Sequence, residues 1–141
     1  MGSNELRSEV SANGRRSITA FFSGPVDHAH AIFAAFDRQD IDALSALMTD
    51  DVRLQIGNAE VVTGKEAFEQ SLTAFFESVA GFRHKILDIW SEGEALITEL
   101  EVRYTRLDGS SIALPCCNVF RLRDGLVADY RVYMDINPVY E

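Results

Sequence analysis

The stretch FRHKILDIWSEGEALITELEVRYTRLDGSSIALPCCNVFRLRDGLVADYRVYMDI, residues 82–136, decides the fold. Apolar and polar residues alternate along most of it with the period of two expected of half-buried strands, and Glu92-Gly93, Asp108-Gly109 and Asp124-Gly125 punctuate it with hairpin-turn dipeptides. The pattern predicts four antiparallel strands at about 82–91, 94–106, 111–123 and 126–136.

Upstream the period changes to that of helices. Ala29, Ile32, Phe33 and Phe36 recur at helical spacing behind Pro25, predicting a helix over about 26–38. Asp40 can cap a second helix with the stripe Ile41, Leu44, Leu47 and Met48, ending near Asp50 and Asp51. Val52, Leu54 and Ile56 alternate as a strand, which can pair with Glu60–Thr63. Thr63 and Glu66 have the spacing of a capping box, and Phe68, Leu72, Phe75, Phe76 and Val79 follow on one face of a third helix. Helices first and a long meander last is an α+β order: the helices hide their stripes by packing on one face of a sheet. Nothing repeats and no linker divides the chain, so the reading is a frayed tail over 1–20 and one domain over 21–141.

Composition narrows the functions. The 141 residues are 47% hydrophobic and 25% charged, as in an ordinary globule, and no apolar run approaches the ~20 residues that span a bilayer. The net charge of −9 opposes binding to nucleic acid or anionic lipid. The polar start lacks the apolar middle of a secretory signal, and the expected location is cytoplasmic. Cys116 and Cys117 are strand neighbours facing opposite ways, without metal-ligand spacing to a histidine, and read as reduced packing residues. No dinucleotide or phosphate-loop fingerprint occurs. Neither a cofactor nor a metal is expected.

Three segments carry a resemblance: Ala46-Leu47-Met48-Thr49-Asp50-Asp51-Val52, Gly64-Lys65-Glu66-Ala67-Phe68, and Asn118-Val119-Phe120-Arg121-Leu122-Arg123-Asp124-Gly125. Together they resemble the nuclear-transport-factor-2-like superfamily over about residues 26–138, and the ending Asp129-Tyr130-Arg131-Val132-Tyr133-Met134-Asp135 is similar to the last strand of limonene epoxide hydrolase and SnoaL-type polyketide cyclases. The resemblance implies a cone-shaped, curved antiparallel sheet covered on its concave face by three helices, with an internal pocket. It also implies a homodimer. The carboxylate that closes the last strand in those enzymes matches Asp135. The Arg-x-Asp pair of the epoxide hydrolase falls on Glu99-x-Glu101, and its water-holding Tyr and Asn fall on Leu54 and Ile56, whose side chains cannot hydrogen-bond. Ketosteroid isomerase aligned on Asp50-Asp51 puts Ile32 near its helix-one tyrosine and Ile56 near its base. Neither catalytic set is intact.

The candidate site follows from strand faces. Glu99, Glu101 and Arg103 share a face with Ile97, and Leu96, Leu100, Val102 and Tyr104 share the other. Periodicity alone leaves open which set lies under the helices. The resemblance implies that the acids enter the pocket and that the apolar set, left outside, is covered by a second subunit. On that reading Asp135 is the general acid or base, Glu101 its partner and Tyr133 a hydrogen-bond donor, while Glu99, Phe33, Phe36, Phe68 and Trp90 contact a small apolar molecule. His28 and His30 stand about 200° apart around their helix and cannot share a metal. Either of them, and after them His84 at a strand start, is a minor acid/base candidate. The expected function is cofactor-independent acid/base catalysis on a small apolar or polyketide-like substrate. The rivals are a ligand-binding module and a dimerisation domain without a usable cavity.

Overall fold

The computed structural model describes residues 24–141; the expected tail over 1–20 lies outside them. Helix α1 spans Pro25–Asp37 and buries Ala29, Ile32, Phe33 and Phe36. It ends where Gln39 takes a left-handed φ of 57°, with Gln39 N–H bonded to Phe36 O and Asp40 N–H to Ala35 O. These two bonds satisfy carbonyls that the last turn would otherwise leave open. The same reversal frees Asp40 to cap α2, Ile41–Ala46, by accepting from Ala43 N–H at 3.0 Å.

Helix α2 is shorter than its apolar spacing predicts, because Met48–Asp51 belong to strand β1, Met48–Ile56. Met48 and Val52 are fully buried as strand residues, so sheet packing outweighs the helical spacing of Leu47 and Met48. Strand β2, Val62–Thr63, pairs with β1 through Arg53↔Thr63 and Leu54↔Val62. Thr63 is thereby held in the ladder, and the predicted capping box does not form: Gly64 is the N-cap of α3, Lys65–Glu77, without a side-chain cap bond. Phe68, Leu72 and Phe76 form its buried face, continued by Val79 beyond the helix.

The meander matches the sequence pattern closely. Strands β3 (Gly81–Glu92), β4 (Ala95–Thr105), β5 (Ser111–Arg123) and β6 (Leu126–Tyr133) follow as antiparallel neighbours. Asp124 and Gly125 both take positive φ, 54° and 81°, the geometry a two-residue hairpin demands. The six-stranded order is β2-β1-β6-β5-β4-β3. The sheet is mixed, which corrects the all-antiparallel expectation: β1 runs parallel to β6, with Leu54 opposite Tyr130 and Ile56 opposite Val132. Register shifts at Ile86/Asp88 and Arg121/Leu122 bend the strands, as bulges do.

The open question of faces is answered on β4. Leu96, Leu100, Val102 and Tyr104 are buried beneath the helices together with Phe120 and Tyr130, whereas Glu99, Glu101 and Arg103 are exposed on the outer side. The apolar patch from which a dimer was expected is therefore inside the core. Among the described residues no helix is long and apolar enough to cross a membrane.

Candidate functional site

Helices and sheet enclose a narrow slot. Phe36 of α1 and Phe75 of α3 line it from the helices, Leu54, Phe82, Val102, Tyr104, Tyr130 and Val132 from the sheet, and Met134 and Ile136 from the segment after β6. Its cavity volume is about 30 Å³, room for roughly two water molecules. Among the described residues, His84, Asn118, Cys116 and the two tyrosines are the polar side chains that line it, and no lysine or arginine does.

His84 stands on the inward side of β3, between Phe82 and Ile86. Its ring stacks on Phe33 at 4.9 Å and meets Phe36 and Phe82 at tilted and edge angles. Asp37, the last residue of α1, accepts from His84 Nδ1 at 2.7 Å and from its backbone N–H at 3.1 and 3.2 Å. A carboxylate accepts only, so it fixes the proton on Nδ1 and leaves Nε2 a lone-pair acceptor in the neutral ring. Nε2 has no hydrogen-bond partner among the described residues.

Across the slot a short polar chain runs along β5 and β6. Cys116 Sγ donates to Asn118 Oδ1 at 3.3 Å, and Asn118 Nδ2 donates to the Tyr130 hydroxyl at 3.5 Å. Tyr130 thus receives a hydrogen bond on its oxygen, and its own proton has no acceptor among the described residues. Burial pushes that hydroxyl far above the ordinary tyrosine range, so it is a donor at every physiological pH. Burial raises Tyr104 in the same direction, and its hydroxyl rests against Met134 Sδ at 3.4 Å.

The residues singled out from sequence separate into two places. Asp135, Tyr133, Glu99 and Glu101 come together, but around an open depression of about 430 Å³ on the outer sheet face, with Leu87 and Cys117. Asp135 does not line the slot: its Oδ1 accepts from Asn137 N–H at 3.1 Å, just ahead of the C-terminal 3₁₀ turn, Asn137–Tyr140. Tyr133 is 56% exposed, and Trp90, 48% exposed, faces outward as well. For Glu99, Glu101, Tyr133 and Trp90 the cause is strand parity, since the inward side of each strand is filled by its apolar alternates, whereas Asp135 lies beyond the end of β6 at Tyr133, short of the expected strand end at 136. Phe36 lines the slot; Phe33 and Phe68 are core residues, the former as the shelf under His84. His28 is buried and bonds Gly125 O at 2.8 Å, whereas His30 is exposed. The described residues hold no cluster of ligands suited to a metal.

Sequence reasoning missed the partner of His84. The signal was a charged residue, Asp37, directly after the apolar stripe ending at Phe36, but only the tertiary fold sets α1's last turn against the start of β3.

The model of the SnoaL-like domain family matches residues 29–130. The chain belongs to the SnoaL-like family. No curated protein matches it significantly. Among solved structures it is similar to a nuclear-transport-factor-2-like protein of unknown function from Burkholderia pseudomallei, with 18% identity and a TM-score of 0.74 over 83% of this chain and 95% of that one. An LEH-like epoxide hydrolase from M. tuberculosis shares 23% identity with a TM-score of 0.70, covering 82% and 86%. A protein with a ketosteroid-isomerase-like fold from Catenulispora acidiphila, in complex with trimethylamine, shares 18% identity with a TM-score of 0.71, covering 79% and 87%. At these identities the likeness is one of fold. The SnoaL-like scaffold here holds Leu54 and Ile56 as apolar slot walls, while the hydrogen-bonded Asp37–His84 pair stands on α1 and β3.

Proposed function

We propose that this SnoaL-like protein is a cofactor-independent acid/base catalyst whose reactive group is the Asp37–His84 pair, acting on a small neutral carbonyl or enol compound held in the apolar slot. The observation that carries this is the 2.7 Å bond from Nδ1 to Asp37, which orients the ring and leaves Nε2 without a partner among the described residues, at a slot lined mostly by apolar side chains. In such surroundings Nε2 can take a proton from carbon or hydroxyl, and Asp37 stabilises the imidazolium that forms. Tyr130 supplies the complementary donor: its proton can polarise the substrate oxygen while His84 moves the proton nearby. The predominantly apolar lining, with no basic side chain among the described residues, favours uncharged substrates over carboxylates and phosphates.

The test is a turnover screen on neutral cyclic ketones and enols, comparing wild type with His84→Asn. Asparagine preserves a donor to Asp37 but removes Nε2, so kcat should fall by about 10²–10⁴ with little change in melting temperature. Normal turnover by His84→Asn would refute the assignment. Activity lost instead in Asp135→Asn would transfer the chemistry to the outer depression, where Glu101 and Tyr133 are its neighbours. No turnover by wild type, with saturable binding of such rings, would leave a ligand-binding module.

A further inference from the structure

The chain carries 22 acidic and 13 basic residues, yet one cleft collects guanidinium groups. It lies between the C-terminal end of α1 and the first part of the β3–β4 ladder, has a volume of about 560 Å³, and is lined by Arg38, Arg83 and Arg103 with Asp37, Gln39 and Thr105 among others. Arg83 and Arg103 are direct cross-strand partners. Like charges placed opposite each other weaken a ladder, and neither arginine is neutralised. Arg103 reaches only the hydroxyl of Ser111, at 3.3 Å, and Arg83 makes no hydrogen bond or ion pair among the described residues.

The nearby acids do not resolve the repulsion. Asp37 is committed to His84, Asp40 pairs with Arg38 at 3.3 Å, and Glu101, two residues along β4 from Arg103, lies opposite Lys85. Two fork-shaped donors across adjacent strands match the oxygens of a carboxylate or phosphate, each guanidinium being able to bind bidentately. Phe82 lines both this cleft and the internal slot, and offers an apolar surface beside the charged one.

We propose that this cleft binds the oxyanion end of a small molecule, clamped between Arg83 and Arg103. The site is distinct from the slot and does not depend on the Asp37–His84 chemistry. It is tested by thermal melting in inorganic phosphate and in acetate, each against sodium chloride at equal ionic strength. Wild type should show a saturable rise with one of the two anions, roughly 4 °C at ten times Kd, and the responding anion identifies the oxyanion class. Arg103→Gln should melt higher than wild type in chloride, because the repulsion is relieved, and should lose the anion-dependent rise; Arg83→Gln should behave alike. Equal melting in all three salts would overturn the proposal. So would a rise retained in the Arg83→Gln, Arg103→Gln double variant, which would place the anion elsewhere.

Discussion

Cys116 and Cys117 are chain neighbours in opposite surroundings. Cys116 faces the slot and is buried, while Cys117 is half-buried in the wall of the outer depression. Burial, reinforced by Cys117 beside it, pushes the Cys116 thiol from 9.0 up to about 12. Because the folded state holds this proton more tightly than the unfolded chain, the thiol's contribution to stability is intact below about pH 9 and is lost as pH rises from there towards 12. We expect a thiol reagent at pH 8 to modify Cys117 first and Cys116 only on unfolding. Mass spectrometry of partially labelled protein reads the order directly. Rapid labelling of Cys116 in the folded protein would show that the slot opens more widely than its resting volume.

At the scale of elements, the C-terminal turn follows directly on Met134 and Ile136 of the slot lining and is tied to the body by side-chain bonds. Arg106 Nε and Nη2 donate to Val139 O and Pro138 O, each at 2.9 Å, and Tyr140 Oη shares a 2.7 Å hydrogen bond with Ser78 Oγ at the end of α3. Buried Val139 anchors the turn, while Met134 and Ile136 just before it close the slot. Replacing Arg106 with Ala removes both charge-assisted bonds and should cost about 2 kcal/mol. Hydrogen exchange over 134–140 should accelerate while exchange in β4 and β5 stays slow. Unchanged exchange in that segment would show that Val139 alone secures it.

The elements themselves were legible where a single local rule governs them. Period-two alternation with Asp-Gly and Glu-Gly turns gave β3–β5 to within a residue and the start of β6, which ends at Tyr133 rather than 136, and the stripe through Phe36 gave α1. The start of β1 was not legible, because Leu47 and Met48 fit a helical stripe as well as a strand, and burial against β6 decides between them. The site was less legible still. Alternation separates Glu99 and Glu101 from Leu100 and Val102 without saying which side the helices cover, and Asp37 meets His84 across 47 residues of chain.

For the whole molecule, strand parity has one large consequence. The sheet presents two different faces: an inner one, mostly apolar, where Thr98, His84, Cys116, Asn118, Tyr104 and Tyr130 bring polar atoms, and an outer one, open and with Glu99 and Glu101 beside Asp135. A neutral ring would gain desolvated contact only on the inner face, where burying it against Phe36, Phe75 and Phe82 is worth ~25 cal/mol per Å². Entry requires the slot to widen from its volume of about 30 Å³, so binding should slow exchange in the C-terminal turn.

The most direct measurement is long-range ¹H–¹⁵N correlation of the histidine ring nitrogens, with backbone and side-chain amides followed in parallel, during titration with 2-naphthol as a neutral aromatic probe. Occupation of the slot should move the His84 Nε2 resonance and the Asn118 side-chain amide, leave Nδ1 in its protonated position against Asp37, and spare the amides of Tyr133, Asp135 and Glu101. Saturable shifts confined to Tyr133, Asp135 and Glu101, with His84 and Asn118 unmoved, would contradict it and place the ligand on the outer face.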